Sequence, residues 1–140
     1  MLKVLIADDY EIIRSGIKHI LQEEFTLAEI GEACDTPSLV EMATIQDWDI
    51  IISDISMPGG GGLEGLKKIL EKKPAQKVLI ITVYSEEQYA VRAINAGAFG
   101  FLKKDTAPDQ LITAVKMILA GHRYIPPTIA DEIRGIKKAT

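Results

Sequence analysis

The sequence predicts an open α/β fold, in which helices cover both faces of a parallel sheet. Short apolar runs alternate with amphipathic stretches along the chain, a pattern typical of strand–helix units. The run 78–81 is apolar on both faces, as a central parallel strand requires. Five such units within about 120 residues are too few to close an eight-stranded barrel. A doubly wound (βα)5 sheet is therefore expected.

The predicted strands are the apolar runs of the sequence. Residues 2–7 form the first strand, 27–33 a weaker second, 49–54 the third, 77–82 the fourth and 98–103 a short fifth. The first helix spans 11–24, where apolar residues recur at helical spacing. Its face toward the sheet is expected to consist of Ile12, Ile13, Gly16, Ile17, Ile20 and Leu21.

Capping signals delimit the other helices. Thr36 and Pro37 are predicted to be the cap and the first residue of the second helix. Ser85 with Gln88 predicts a capping box for the fourth helix. The third helix follows the loop 55–62, the fourth ends at Gly97, and the fifth runs over 108–120 with Gly121 as its C-cap.

Composition and charge exclude several classes of protein. With 47% apolar and 26% charged residues, the chain is expected to be a folded domain. No apolar run approaches the length of a membrane span, so no membrane segment is expected. The sequence also predicts no export leader and a cytoplasmic location. Cys34 is the only cysteine, which excludes an internal disulfide and a cysteine-built metal site. Residues 1–121 carry a net charge of −6, which disfavours direct binding to a nucleic-acid backbone.

Three aspartates are placed to form one acidic site. Ligands of doubly wound sheets bind beyond the carboxyl ends of the strands. Asp8 and Asp9 follow the first strand and Asp54 ends the third, so they converge if the strand order is 2-1-3-4-5. Carboxylates held close together protonate or share a cation, and an all-oxygen set suits Mg²⁺. Alternatively, Asp8 or Asp9 caps the first helix.

Two further polar residues follow strands on the same edge. Thr82 ends the fourth strand and Lys104 follows the fifth. A hydroxyl and an ammonium opposite a metal-binding carboxylate trio supply the donor and the positive charge that a transferred phosphoryl group needs. An ordinary solvated lysine is the alternative interpretation of Lys104.

Five separated motifs resemble the receiver domain of two-component response regulators. They are Asp8-Asp9, Asp54 followed by Met57-Pro58-Gly59 and then Gly62-Leu63-Glu64, Thr82, and Gly100-Phe101-Leu102-Lys103-Lys104. The opening segment 4–14, Lys104-Asp105 and the exit 121–125 are similar to the NarL/FixJ type. The resemblance implies a flavodoxin-like sheet of order 2-1-3-4-5, a receiver domain over 1–121 and a linker over 122–140.

The resemblance also implies roles for the acidic residues. Asp54 would be the nucleophile that attacks a phosphohistidine on a sensor histidine kinase and becomes an aspartyl phosphate. Mg²⁺ would be held by Asp9, Asp54 and the backbone carbonyl of Ser56, with Asp8 acting directly or through water.

The remaining site residues would form the switch. In the family's pattern the functional lysine lies three residues after the switch aromatic, which selects Lys104 and makes Lys103 a solvated neighbour. Lys104 would pair with the phosphoryl oxygens, and Thr82 would turn toward them. Phe101 would follow Thr82 inward and alter the surface of the fourth helix, fifth strand and fifth helix.

Four positions depart from the commoner family pattern. Asp105 stands where proline is frequent, and Val83 where a small residue is frequent. Tyr84 lies, like Ser56, where the family tunes autodephosphorylation, and its bulk would obstruct the attacking water. Tyr10 replaces a frequent histidine, and the sequence indicates no consequence.

The resemblance implies partners that this stretch of sequence does not contain. In the NarL/FixJ type a LuxR-like helix-turn-helix domain follows the linker, so DNA would be bound only through that output domain, and phosphorylation would favour a homodimer. The alternatives are a stand-alone receiver that acts through protein contacts and a Mg²⁺-dependent aspartyl-phosphate phosphatase. The sequence leaves open whether the protein continues past Thr140.

Two weaker motifs are set aside. Gly60, Gly62 and Gly65 fit a dinucleotide-binding fingerprint, but the turn after the first strand has no glycine. His19 and His122 are isolated, so they support neither a metal site nor a phosphorelay histidine.

Overall fold

The computed structural model describes residues 1–82, 87–104 and 108–125 and contains the predicted alternation of strands and helices. The elements are β1 (Lys3–Ala7), α1 (Glu11–Glu24), β2 (Glu29–Ala33), α2 (Thr36–Ile45), β3 (Ile50–Asp54), α3 (Gly61–Lys72), β4 (Val78–Thr82), α4 (Glu87–Asn95), β5 (Gly100–Lys103) and α5 (Pro108–Leu119). The strands are parallel and lie in the order β2-β1-β3-β4-β5. The predicted doubly wound sheet is confirmed.

The core is divided into two layers by the sheet. Alternate residues of a strand point to opposite faces, so in β1 Leu5 packs with α2, α3 and α4, whereas Val4 and Ile6 pack with α1 and α5. β3 and β4 are buried along their whole length. No helix in the described part of the chain is long and apolar enough to cross a membrane.

The predicted inner face of α1 is wrong at two positions. Ile17 and Leu21 are buried, but Ile12 is 80% exposed and Gly16 is also exposed. Ile12 precedes Ile17 by five residues, which is about 140° around a helix with about 100° per residue. Ile12 and Gly16 therefore lie on a neighbouring, exposed stripe of the helix, which borders an open cavity beside β4 and β5.

The cap of α2 also differs from the prediction. Asp35, not Thr36, is the N-cap, and its Oδ1 accepts hydrogen bonds from the backbone N–H of Ser38 at 2.8 Å and from the Ser38 hydroxyl at 2.7 Å. The bond from the Ser38 side chain, together with that from its backbone, lowers the pKa of the Asp35 carboxyl. A charged cap satisfies the first-turn N–H groups well, so the helix begins at Thr36, one residue earlier than predicted.

The chain stays on the sheet after α5. Gly121 ends the helix with φ +94°, and Tyr124 then pairs with Gly100 of β5. Its N–H donates to the carbonyl of Phe99 at 3.0 Å, and its carbonyl accepts from the N–H of Phe101 at 3.1 Å. Residues 122–125 therefore line the edge of β5. The part of the predicted linker after residue 125 and the predicted cap at Ser85 lie outside the described residues.

The glycine-rich loop after β3 brings the start of α3 close to the end of that strand. Gly59, Gly60 and Gly61 have positive φ angles of 87°, 129° and 81°. A Cβ at Gly62 would lie 2.1 Å from the carbonyl oxygen of Asp54 and 2.7 Å from Cα of Ile55. The loop therefore needs glycine for its backbone conformation and for its close approach to Asp54.

Replacing Gly62 by alanine should destabilise the fold. The clash is with backbone atoms, which cannot rotate away, so we expect Gly62→Ala to lower the free energy of unfolding by about 3 kcal/mol. The matched control is Gly16→Ala, because Gly16 lies on exposed helix with no atom within 4 Å of an added Cβ. This control should raise the unfolding free energy by up to about 1 kcal/mol. Urea unfolding measures both, and an unchanged Gly62→Ala protein would contradict the close approach.

Candidate functional site

The register of the sheet places two buried aspartates side by side. Ala7 of β1 is opposite Ser53 of β3, so the residues that follow them, Asp8 and Asp54, are neighbours at one edge. Both are buried, whereas Asp9 is exposed. One carboxylate oxygen from each of the three lies within 4.8 Å of the others. The predicted convergence is present, and we call these three residues the carboxylate cluster.

Asp8 is held at several points. Its N–H donates to the carbonyl of Ala33 at 3.1 Å, and its Oδ1 accepts from the N–H of Tyr10 at 2.9 Å. Its Oδ2 is buried and lies 2.6 Å from Nζ of Lys104 in an ion pair. The N-cap of α1 is Tyr10, with no side-chain cap. Neither Asp8 nor Asp9 therefore acts as the helix cap.

Within the described part of the chain, Lys104 is the only cationic side chain that contacts the carboxylates of the cluster. Its Nζ donates to Oδ2 of Asp54 at 3.1 Å, and its side chain is 8% exposed. Its backbone N–H donates to the carbonyl of Thr82 at 2.7 Å, which fixes the residue to the end of β4. Lys103 is exposed. The structure thus places Lys104, and not Lys103, among the carboxylates.

Burial and charge act in opposite directions on these groups. Burial raises the pKa of the Asp54 carboxyl, although the Ser56 N–H at 3.3 Å and the Lys104 ammonium work against this rise. Burial disfavours the charged form of Lys104, but its contacts with Asp8 and Asp54 outweigh that effect and raise its pKa. At neutral pH the ammonium is retained between two buried carboxylates.

The predicted switch residues lie on adjoining strands. Thr82 is buried at the end of β4. Phe101 of β5 is 3% exposed and packs in the core layer of α2, α3 and α4. Its side chain therefore already occupies an inward position.

A cleft of about 370 Å³ opens onto the carboxylate cluster. This acidic cleft is lined by Asp9, Tyr10, Ile12, Ile13, Asp54, Ser56 and Lys104. Tyr10 lies at the rim of the cleft and is 62% exposed. The centroid of its ring is 5.9 Å from Nζ of Lys104. That distance is within cation–π range. The wall formed by α1 is apolar, and the opposite wall carries the charges.

Two residues of the site were not predicted. Tyr10 and Arg14 were each part of a motif, but no role followed from the sequence. Arg14 donates from Nη1 to the carbonyl of Asp8 at 2.6 Å. The sequence feature that could have marked Tyr10 as a site residue is its position directly after the predicted ligand pair Asp8-Asp9. Val83, Tyr84 and Asp105 lie outside the described residues.

Comparison with known proteins agrees with this arrangement. Residues 4–116 match the family model of the response regulator receiver domain. The chain belongs to this receiver family.

Individual receivers are similar over nearly the whole chain. The response regulator GacA of Pseudomonas aeruginosa is 35% identical over 133 residues, which cover 95% of this chain and 62% of GacA. The crystal structure of a LuxR-family two-component response regulator from Aurantimonas sp. SI85-9A1 has a TM-score of 0.87 at 31% identity, covering 96% of both chains. The isolated receiver domain of RcsB from Salmonella enterica, solved with the phosphomimetic BeF3⁻, has a TM-score of 0.83 at 26% identity, with 93% and 96% covered.

This receiver chain spans about three fifths of the length of the curated relatives it matches, 62% for GacA and 61% for the response regulator UvrY of Escherichia coli.

Neutralising Asp54 should stabilise the receiver. A raised pKa means that the folded state favours protonated Asp54, so the stability of the natural protein falls as pH rises through that pKa. Allowing for water that still reaches the cleft, we expect Asp54→Asn to raise the unfolding free energy by about 1 kcal/mol at pH 7 without Mg²⁺. The gain should shrink as pH falls through the raised pKa and vanish only below the ordinary pKa of an aspartate. Urea unfolding across pH tests this, and a gain that persists at low pH would assign it to another cause.

Removing the ammonium should have the opposite effect. Lys104→Gln leaves Asp8 and Asp54 buried without a cation, so we expect it to lower the unfolding free energy by about 3 kcal/mol at pH 7. Lys103→Gln is the matched control and should change it by less than about 0.5 kcal/mol. Equal losses in the two variants, measured by urea unfolding, would contradict the role of Lys104 in the cluster.

Proposed function

We propose that this receiver accepts a phosphoryl group on Asp54 from a sensor histidine kinase and acts as a phosphorylation-dependent switch. One observation carries the proposal: the Asp54 carboxylate opens onto the acidic cleft, with the Lys104 ammonium 3.1 Å from its Oδ2. A nucleophile and a fixed positive charge then meet where a phosphoryl group would enter.

The transfer needs little from the protein beyond position and charge. A carboxylate oxygen of Asp54 attacks phosphorus, an O–P bond forms, and the P–N bond breaks with its electron pair returning to the imidazole nitrogen of the donor. Lys104 stabilises the charge on the phosphoryl oxygens. The Ser56 N–H, which donates to Oδ1 of Asp54, holds the carboxylate in place.

The donor set fits Mg²⁺. It consists of oxygens alone, and one carboxylate oxygen from each of Asp8, Asp9 and Asp54 lies within 4.8 Å of the others. Asp9, Asp54 and the backbone carbonyl of Ser56 would hold the ion, with Asp8 acting directly or through water. When bound, Mg²⁺ supplies positive charge that offsets the repulsion between the carboxylates and the incoming phosphoryl group.

The switch would involve Thr82 and Phe101. We expect the Thr82 hydroxyl to turn toward the bound phosphoryl group. Because Phe101 is already buried here, phosphorylation would stabilise its inward position rather than create it. The affected surface would be that of α4, β5 and α5.

The whole protein would transmit this change to an output domain. Residues 1–121 would form the receiver domain and 122–140 a linker to a helix-turn-helix domain, and the chain covers 62% of GacA. DNA would be bound only through that domain, with homodimerisation on phosphorylation. The protein would work in the cytoplasm, without a membrane partner, as a signalling switch and not as an enzyme for a separate substrate. A stand-alone receiver that acts through protein contacts is the alternative.

Mass spectrometry tests the proposal directly. Incubation with acetyl phosphate and Mg²⁺ should add about 80 Da, the mass of one phosphoryl group, to the natural protein. Asp54→Ala should give no adduct, because the acceptor is gone. Asp47→Ala is the matched control, since Asp47 is exposed and belongs to no site described here, and it should be labelled normally. Labelling of Asp54→Ala, or rapid turnover of unrelated phosphate esters, would refute the proposal.

A further inference from the structure

Arg14 connects three elements behind the carboxylate cluster. It lies on α1, and its side chain is only 15% exposed. Its Nη1 donates to the backbone carbonyl of Asp8 at 2.6 Å, and its Nε donates to Oε1 of Glu32 on β2 at 3.2 Å. One guanidinium therefore joins α1, the end of β1 and the edge strand β2.

The hydrogen bond to Asp8 acts on a particular peptide unit. The carbonyl of Asp8 belongs to the peptide that leads into Asp9, and the N–H of Asp8 is already bound to Ala33 at 3.1 Å. With both backbone groups of Asp8 held, the plane of the Asp8–Asp9 peptide has little freedom to rotate. That plane sets the direction in which the Asp9 side chain leaves the backbone.

Asp9 depends on this support. It is exposed, and within the described part of the chain its carboxylate makes no hydrogen bond or ion pair. Asp54, in contrast, is held by Ser56 and Lys104. The member of the cluster with the fewest contacts of its own is therefore the one whose backbone Arg14 orients.

We propose that Arg14 is a positioning residue for the cation site, with Glu32 holding the guanidinium in place. Arg14 touches neither the ion nor a carboxylate of the cluster. It fixes the Asp8–Asp9 peptide so that both side chains are presented to Asp54. This inference rests on the proposed function, because it takes the carboxylate cluster to be a Mg²⁺ site.

An electrostatic role and a positioning role of Arg14 predict opposite changes in Mg²⁺ affinity when Arg14 is replaced. Arg14 is a cation close to an acidic site, so by Coulomb's law alone its removal would strengthen Mg²⁺ binding. If Arg14 positions the ligands, its removal weakens binding. Outer residues that orient metal ligands typically contribute tenfold or more to affinity, so we expect Arg14→Gln to weaken Mg²⁺ binding about tenfold.

The chain offers a matched control for this experiment. Lys18, on the same helix, lies 3.8 Å from the other carboxylate oxygen of Glu32 and carries the same charge. It makes no hydrogen bond to the Asp8–Asp9 peptide. Lys18→Gln therefore removes an equal charge beside Glu32 without removing the proposed support, and Mg²⁺ binding should be unchanged or slightly tighter.

The experiment is a Mg²⁺ titration of the unphosphorylated chain. Binding is measured by isothermal titration calorimetry and by the amide chemical shifts of Asp9 and Ser56. Arg14→Gln should weaken binding about tenfold, with Lys18→Gln at or below the natural dissociation constant. Arg14→Lys keeps the charge but loses the forked donor, so it too should bind more weakly than the natural protein. Urea unfolding without Mg²⁺ verifies that each variant is folded before titration.

Three results would overturn the inference. The first is Mg²⁺ binding by Arg14→Gln that is as tight as in the natural protein or tighter. The second is an unchanged Mg²⁺ affinity in Arg14→Lys. The third is an equal loss of Mg²⁺ affinity in Arg14→Gln and Lys18→Gln. Each leaves the proposed function intact as long as the natural protein binds Mg²⁺. Absence of Mg²⁺ binding by the natural protein would instead refute both the inference and the metal site of the proposed function.

Discussion

The ion pairs of one lysine with two buried aspartates are the interaction on which the site depends. Lys104 lies 2.6 Å from Asp8 and 3.1 Å from Asp54, both removed from water. Two carboxylates with one ammonium leave a net negative charge at the sheet edge, and Asp9 adds to it. Burial of a charge is costly unless it is compensated. The edge is therefore prepared to accept a further cation.

Burial works against these ion pairs at Asp54. Asp54 has a raised pKa because it is buried, which means that its charged, reactive form is disfavoured by the fold. A charged carboxylate at this position therefore has a cost in stability. Conflicts of this kind between local stability and chemistry are expected at functional sites.

Much of the fold was readable from sequence because the central strands carry a strong signal. β3 and β4 are continuous apolar runs, and both are buried on both faces. The strand order came from the family resemblance, since apolar patterns do not specify which strands pair. The α1 face was mispredicted at Ile12 because hydrophobicity alone does not distinguish neighbouring stripes of a helix. The α2 cap was shifted by one residue because Asp35 and Thr36 are both good caps.

The site was predictable where chemistry follows directly from strand ends, as for Asp8, Asp54 and Lys104. It was not predictable where a role depends on contacts between distant segments. Arg14 meets Glu32, eighteen residues away, and a backbone carbonyl that has no sequence signature. Tyr10 likewise meets Lys104 only because β1 and β5 end at the same edge of the sheet.

The short pairing of Tyr124 with β5 has a consequence for solubility. The two outer strands of an open sheet expose unpaired N–H and C=O groups that invite other chains to add strands. On β2 the exposed Glu29 and Glu32 place charge along that margin. On β5 the margin is instead paired at Gly100 with Tyr124. The segment that leaves α5 thus also shields the sheet against aggregation, and a fragment cut at Gly121 would lack that shield.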